Sequence, residues 1–178
     1  VRIYATGEGR LAIRVPGYAE SYMLTRSDAA TGAERREGYV YLDGPFDGEE
    51  IVLSFELEPV LWSAHPYVRA SAGRIAVSRG PFVYCTESVD NGEHLELLQL
   101  DADAEYRYET EDGELGHIGV LYTDGLRIRS PEDGSLYRRV VGINSAEVSE
   151  PVKIRMIPYY AWANRGENEM SVWLRQLV

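Results

Sequence analysis

The chain has 178 residues, of which 44% are hydrophobic, and 29 acidic residues against 18 basic residues give it a net charge of −11 and a pI near 4.8. This length and composition suit one folded domain or two small ones, and they exclude a disordered chain. The negative charge opposes the phosphates of nucleic acids and anionic membrane surfaces, so we expect neither as a partner.

No apolar run approaches the roughly 20 residues that a membrane-spanning helix needs, and the first residues do not resemble a signal peptide. The chain begins at Val1 and not at a methionine, so we expect it to be part of a longer protein whose targeting segment would lie elsewhere. Cys85 is the only cysteine, which rules out an internal disulfide. This favours a reducing compartment, and we expect a cytoplasmic location.

Apolar and polar residues alternate along most of the chain, whereas a helical period is hard to find. Ile51, Leu53 and Phe55 would share one face of a strand whose other face is largely polar. The strand candidates, in chain order, are 10–15, 39–42, 51–57, 60–64, 74–78, 82–86, 95–100, 105–110, 118–123, 126–129, 152–157 and 170–177. Short strands at this density predict an all-β fold, an antiparallel β-sandwich that could be divided into two small consecutive sandwiches.

Glycine and proline mark the expected turns and boundaries. Gly80-Pro81 would start a strand, and Asn91-Gly92 is a pair suited to a tight hairpin. Asp124-Gly125 would form the turn between two further strands. Pro59 and Pro151 cannot donate to a sheet, so each should mark a strand start, an edge or a linker.

Two segments carry recognisable motifs. They are residues 79–87 (RGPFVYCTE), which 90–92 (DNG) follow, and residues 157–166 (IPYYAWANRG). Together they resemble the C-terminal region of the β-L-arabinofuranosidase-like glycoside hydrolases of the family 127 type. Three further segments are similar to that family in the same order, namely 11–19 (LAIRVPGYA), 38–42 (GYVYL) and 68–78 (VRASAGRIAVS). The resemblance therefore covers most of the chain.

The resemblance implies a catalytic centre outside this chain. In the family, a long N-terminal helical barrel carries a cysteine nucleophile and a zinc ion held by cysteines and a glutamate. This chain has one cysteine and three scattered histidines, so we expect no cofactor in it and zinc only in the catalytic domain. The family architecture also implies two consecutive β-sandwiches. We expect 1–58 plus 156–178 to form part of the first sandwich and 59–155 to form the second.

One acidic run is a candidate for cation binding. Asp101, Asp103 and Glu105 are spaced by two, so an extended strand would place their carboxylates on one face, an arrangement that suits the ligands of a hard cation. The run lacks the glycine turn and the bidentate Glu of a calcium loop, so we interpret it as a solvated loop or edge strand. The sequence singles out no pair of acids as the two carboxyl groups of a glycosidase.

Histidine and cysteine give no stronger signal. His65, His94 and His117 lack a ligand spacing, and we interpret them as surface or packed residues. Cys85 lies in an apolar strand, where a free cysteine behaves as a small buried hydrophobic residue. We therefore name no catalytic and no metal-binding residue.

Aromatic residues are the remaining candidates for contacts. Trp62, Tyr160 and Trp162 could contact sugar rings or an apolar partner surface, although large aromatics in a β-sandwich more often pack in a core or between domains. If 159–162 continues as a strand, Tyr160 and Trp162 share a face and Tyr159 lies on the other.

Three functions remain open. The favoured one is a non-catalytic C-terminal β-sandwich region of a glycoside hydrolase that resembles β-L-arabinofuranosidases. Its partner would be the enzyme's own N-terminal catalytic barrel, and a second copy could join it as a homodimer. The alternative is an autonomous carbohydrate-binding module, which would display an exposed row of aromatic rings. The third is a self-sufficient enzyme, which no nucleophile and base pair in the sequence supports.

Overall fold

The structure is a computed structural model that describes residues 1–19, 21–27, 29–129, 135–137, 139 and 148–177. The other positions of the predicted domains, 20, 28, 130–134, 138, 140–147 and 178, lie outside the described residues. The chain divides into two compact units, Val1–Glu58 and Pro59–Val178. The expected all-β fold is confirmed, since the longest helical element in the described ranges is the four-residue turn Ser88–Asn91.

The first unit is a small sandwich of two antiparallel sheets. Its described strands are β1 (Arg2–Gly7), β2 (Arg10–Arg14), β3 (Tyr22–Arg26), β4 (Ala29–Ala30), β5 (Glu34–Arg36), β6 (Tyr39–Asp43) and β7 (Phe46–Phe55). One sheet has the order β1-β7-β3-β4 and the other β2-β6-β5. Both sheets contribute to one core, in which Val40, Ile51 and Leu53 have no exposed surface. The predicted alternation in β7 therefore holds at Ile51 and Leu53.

The second unit is built on one large sheet. Its described strands are β8 (Pro59–Ser63), β9 (Arg74–Arg79), β10 (Phe82–Glu87), β11 (Leu98–Leu100), β12 (Tyr106–Gly113), β13 (Gly116–Ile128), β14 (Ser149–Pro158), β15 (Met170–Ser171) and β16 (Leu174–Gln176). They are connected in the order β15-β10-β14-β13-β11-β16-β9-β8, and β12 pairs with β13. Because β10 also pairs with β9, the sheet folds back on itself and supplies both layers of a sandwich. The pair β11 and β16 is parallel.

The main core of the second unit lies inside this folded sheet. Leu100, Leu121 and Ile154 have no exposed surface there, and each comes from a different strand. Fully burying a side chain of this size stabilises the fold by roughly 1.5–3 kcal/mol, so these contacts hold the layers together. A smaller cluster, which contains Cys85 and Ile157, lies on the opposite face of β10 and β14.

The end of the chain packs differently from the expectation that 156–178 completes the first sandwich. Strand β14 pairs with β10 and β13, β15 pairs with β10, and β16 pairs with β9 and β11, which are all strands of the second unit. The physical reason is burial, because Leu174 is 2% exposed and belongs to the main core of the second unit.

Two turns predicted from Asn-Gly and Asp-Gly pairs are wrong. Asn91 ends the helical turn Ser88–Asn91, and Gly92 follows it with a φ of +76°, so the pair is not the loop of a two-residue hairpin. Asp124 and Gly125 lie inside β13, where they pair with Lys153 and Val152 of β14. Pairing along the whole of β13 keeps the chain extended, so 118–123 and 126–129 are not two strands of a hairpin.

Candidate functional site

Five ionisable residues of the second unit form a buried charge cluster. Glu87 ends β10, Asp90 lies in the helical turn that follows, and Glu111 lies in β12. Arg155 lies in β14, and Arg165 follows the 3-10 turn Tyr159–Ala161. Their side chains are between 0% and 31% exposed. The cluster therefore joins segments 79–92 and 157–166, which carried the two leading motifs of the sequence.

Arg165 is the centre of the cluster. Its Nε donates to Oε2 of Glu87 at 3.0 Å, and its Nη1 donates to Oδ1 of Asp90 at 2.9 Å. Its Nη2 donates to Oε2 of Glu87 and, at 2.5 Å, to Oδ2 of Asp90. Glu87 has no exposed side-chain surface, and Arg165 has 11%. A buried carboxylate needs such a partner, because an isolated charge away from water is strongly unfavourable.

Arg155 extends the cluster to the β12–β13 hairpin. It donates through Nη1 to Oδ2 of Asp90 at 2.5 Å and through Nη2 to Oε2 of Glu111 at 2.6 Å. The hydroxyl of Tyr122 donates to the other oxygen of Glu111 at 2.5 Å. Three carboxylates and two guanidinium groups are thus linked through direct hydrogen bonds, which are stronger when the partners are charged.

These contacts lower the pKa values of Asp90 and Glu111. Burial by itself would raise the pKa of Asp90, but the hydrogen bonds and charges of Arg165 and Arg155 hold it below its usual value. The hydrogen bond from Arg155 is the largest cause that lowers the pKa of Glu111. The hydrogen bond to Asp90 is the largest cause that raises the pKa of Arg165. Asp90 and Glu111 are therefore ionised at neutral pH, as are the two arginines.

Backbone and side-chain hydrogen bonds attach a loop to the cluster. The backbone N–H of Ala163 donates to Oε1 of Glu87 at 3.2 Å, and the side-chain amide of Asn168 donates to the same oxygen at 3.4 Å. Ser88 binds Glu169 twice, through a backbone hydrogen bond of 3.0 Å and a side-chain hydrogen bond of 2.9 Å. Loop 162–169 is therefore fixed against the end of β10 and the helical turn.

Asn91 links the same turn to β14. Its side-chain amide donates to the carbonyl of Glu87 and to the carbonyl of Arg155, both at 2.9 Å. Its side-chain oxygen accepts the backbone N–H of Arg155, also at 2.9 Å. The Asp-Asn-Gly motif thus has a structural use that its turn propensity did not predict, because both polar side chains bind neighbouring segments.

Cys85 lies beside this cluster but is not part of it. The side chain is buried in the smaller hydrophobic cluster, as predicted, and the residue is 1% exposed. Burial is the largest cause that raises the pKa of its thiol to about 12, and the nearby charge of Glu87 adds to it. The thiol is therefore protonated at neutral pH, whereas the thiolate is the nucleophilic form.

The acidic run and the histidines form contacts of their own and, among the described residues, share no side-chain hydrogen bond with the buried charge cluster. Oδ1 of Asp101 accepts the backbone N–H of Asp103 at 2.9 Å, which closes a local turn. His94 and His117 are exposed and contact Glu96 at 3.2 Å and Asp112 at 2.8 Å, respectively. No group of three His, Cys, Asp or Glu side chains in the described part of the chain could hold a metal ion.

The three predicted contact residues have different surroundings. Trp62 is 56% exposed on β8, and its indole N–H donates to Oγ of Ser78 at 2.7 Å. Tyr160 is 59% exposed, and its ring meets Phe82 edge to face at 5.3 Å. Trp162 is half-buried, and its ring lies 6.1 Å from that of Tyr159.

The predicted alternation at 159–162 is wrong. Tyr159–Ala161 is a 3-10 turn and not a strand, so a period of two does not decide which residues share a face. As a result Trp162 packs beside Tyr159, and Tyr160 packs on β10 instead.

Sequence reasoning missed the buried charge cluster. Glu87, Asp90 and Arg165 were all inside the recognised motifs, but Glu87 and Arg165 are 78 positions apart. Pairing at that separation depends on the order of strands in the sheet, which local patterns do not contain. In the sequence, the one feature that marked these charged residues was their position directly after apolar strands.

The comparisons with known proteins agree with this fold. Residues 59–175 match the family model described as the glycoside hydrolase family 127 C-terminal domain. A curated protein of Bifidobacterium longum subsp. longum, named non-reducing end beta-L-arabinofuranosidase, is 34% identical over 175 residues, which are 94% of this chain and 26% of that protein. A solved GH127 beta-L-arabinofuranosidase from Geobacillus stearothermophilus T6 has a TM-score of 0.88 and 34% identity over 99% of this chain and 28% of its own.

A second solved structure, titled as a glycoside hydrolase, has a TM-score of 0.84 and 29% identity over 99% of this chain and 30% of its own. The chain thus spans between a quarter and a third of the length of these relatives.

Proposed function

The chain belongs to the family of glycoside hydrolase family 127 C-terminal domains, and we propose that it is the non-catalytic part of a β-L-arabinofuranosidase-like enzyme, where it supports the catalytic barrel. Two relatives are named beta-L-arabinofuranosidases, and they are between three and four times as long as this chain. The barrel is the main proposed partner, and assembly of a homodimer is a second role of the same kind.

The binding of Asp90 and Glu111 by two arginines is the observation that carries this proposal. A glycosidase needs one carboxyl group that is protonated at its working pH, and enzymes obtain it by raising a pKa. Asp90 and Glu111 have lowered pKa values instead, since arginines bind both of them. These acids are therefore suited to holding strands and a loop together, and they are unsuited to protonating a leaving group.

The same reasoning applies to nucleophile and metal. A cysteine nucleophile requires a thiolate, whereas burial keeps Cys85 protonated. We propose that zinc belongs to the catalytic domain only.

We also propose a cytoplasmic location, which the single cysteine favours. No helix in the described ranges is long and apolar enough to cross a membrane.

An activity assay tests the non-catalytic role. We expect the purified chain to release no product from a chromogenic β-L-arabinofuranoside between pH 4 and 8, and metal analysis of chelator-free protein to find far less than one zinc per chain. Turnover that Glu111→Gln or Cys85→Ala abolishes would contradict the proposal. A full equivalent of zinc that disappears in Cys85→Ala would contradict the placement of the metal.

The second candidate is an autonomous carbohydrate-binding module, which the exposure of Trp62 and Tyr160 favours. If these rings bind sugar, Trp62→Ala and Tyr160→Ala abolish oligosaccharide binding and leave the melting temperature nearly unchanged. If they only pack or contact the barrel, the isolated chain binds no neutral oligosaccharide and the variants change nothing in that assay. Trp162→Ala is the comparison, because its half-buried ring should lower the melting temperature in either case.

A further inference from the structure

A groove in the second unit combines aromatic walls with an unused positive charge. It has a volume of about 590 Å³, within the range of ligand sites. Tyr159 and Trp173 line it together with Met170, Val172 and Val83, and Arg74 and Ser71 supply polar groups. We name it the Arg74 groove. It shares none of its lining residues with the buried charge cluster.

Arg74 is the polar group that decides what the groove can hold. Its Nη1 donates to the carbonyl of Trp173 at 3.3 Å, and no carboxylate of the described residues forms an ion pair with it. The lining residues include neither Asp nor Glu. A guanidinium has five donors in a planar fork that fits a carboxylate. The bond to Trp173 is the one hydrogen bond found for this guanidinium among the described residues, so its other donors could bind a ligand in the groove.

The walls of the groove are fixed in place. Ser171 pairs with Thr86 across β15 and β10, and the hydroxyl of Thr86 donates to the carbonyl of Ser171 at 3.1 Å. The hydroxyl of Ser171 donates to the carbonyl of Trp173 at 3.0 Å. Arg74 begins β9 and pairs with Arg175 of β16. A ligand would thus meet a preformed surface, which reduces the entropy lost on binding.

We propose that the Arg74 groove binds a uronic acid residue of an acidic oligosaccharide. The sugar ring would lie against the aromatic and aliphatic walls, and its carboxylate would receive charge-assisted hydrogen bonds from Arg74. A neutral sugar would leave the guanidinium without its best partner. This inference goes beyond the supporting role of the domain and does not depend on it.

The net charge of the chain does not exclude an anionic ligand. The charge of −11 repels anions at long range, but salt screens such repulsion beyond about 8 Å at physiological ionic strength. A carboxylate inside the groove meets Arg74 at contact distance and no acidic lining residue. The net charge should therefore slow the approach of the ligand more than it weakens the final contact.

Calorimetric titration of the purified chain tests the inference. The ligands are a trigalacturonic acid and the neutral galactotriose with the same linkage, and tryptophan fluorescence provides a second readout. We expect saturable binding of the acidic trisaccharide and at least tenfold weaker binding of the neutral one. Arg74→Met should weaken acidic binding by roughly tenfold or more, since a hydrogen bond to a charged group contributes about 1.5–3 kcal/mol.

Arg129→Met is the matched control, because that arginine is exposed and pairs with Glu150 away from the groove. It should bind as the unchanged chain does, and circular dichroism should show both variants folded. Equal affinity for the acidic and neutral sugars, or a preference that survives in Arg74→Met, overturns the inference. Absence of saturable binding also overturns it. Equally effective competition by an oligoglutamate peptide would assign the groove to acidic protein segments and overturn the sugar.

Discussion

The carboxylate of Glu87 has no exposed surface, and donors from Arg165, Ala163 and Asn168 surround it. Such an arrangement need not make the protein more stable than an apolar core would, because removing two charges from water offsets much of their attraction. Breaking it is different, since the remaining charge keeps its burial and loses its partner. Removing either Glu87 or Arg165 should therefore lower the free energy of unfolding more than removing one member of an exposed ion pair does.

Arg165→Met should lower the free energy of unfolding by about 3–5 kcal/mol, because it leaves Glu87 buried without a cation. Urea denaturation followed by circular dichroism measures this change. The control Arg129→Met should change it by less than about 1 kcal/mol, since its pair with Glu150 is exposed. The double variant Glu87→Gln with Arg165→Met should recover part of the loss. Equal effects of the two single arginine variants would contradict the role of the cluster.

The thiol of Cys85 should be inert in the folded protein. Burial raises its pKa to about 12, so at pH 8 almost no thiolate is present, and the residue is 1% exposed. We expect iodoacetamide to modify Cys85 at pH 8 only after unfolding in urea, as mass spectrometry would show. Modification of the native protein at the rate of the unfolded one would mean that β10 opens far more readily than its burial indicates.

At the scale of single elements, the period of two predicted many strands of the fold. Strands β2, β6 and β9 agree with the prediction to within one residue at each end. In β6 the buried Val40 and Leu42 alternate with more exposed residues, as the pattern predicts, whereas β9 buries the three consecutive residues 75–77. Strands β1 and β3 were missed, since their residues are mostly exposed or half-buried and the alternation is weak. The buried charge cluster could not be predicted, because it depends on which strands become neighbours.

Gly125 shows why a turn signal misled the prediction. A Cβ at this position would lie 2.6 Å from the backbone carbonyl oxygen of Gln99 and 2.5 Å from Cδ1 of Ile154. The glycine is therefore needed for close packing of β13 against β11 and β14, and not for a turn. Glycine inside a strand commonly marks such a close approach of another backbone.

Gly125→Ala should destabilise the second unit by about 1–3 kcal/mol, because the carbonyl of Gln99 belongs to β11 and cannot move without disturbing its pairs. The midpoint of urea denaturation measures the effect. Gly113→Ala is the matched control, since a Cβ there meets nothing within 4 Å. A Gly125→Ala protein as stable as Gly113→Ala would show that β11 yields easily.

At the scale of the whole molecule, the contacts of the buried charge cluster agree with the supporting role that we propose. The family model covers 59–175, which contains the entire buried charge cluster and the Arg74 groove. The cluster holds loop 162–169 in place, and the 3-10 turn just before this loop presents Tyr159 and Tyr160 at the surface. Charge inside the domain thus fixes aromatic residues that are available for contacts.

Acid should weaken the second unit through Asp90 and Glu111. Their folded pKa values lie below the ordinary values of 3.8 and 4.5, so the unfolded chain takes up their protons first as the pH falls. Their contribution is complete above about pH 5 and is lost progressively from there until the folded groups are protonated. Arg155→Met removes the cation that binds Glu111 and one of the two that bind Asp90. The difference in unfolding free energy between this variant and the unchanged chain should therefore be large at pH 7 and shrink by pH 3 in urea denaturation. For the control Arg129→Met, the difference in unfolding free energy should stay small from pH 7 to pH 3. If the difference for Arg155→Met is large and the same at every pH, packing and not charge explains its effect.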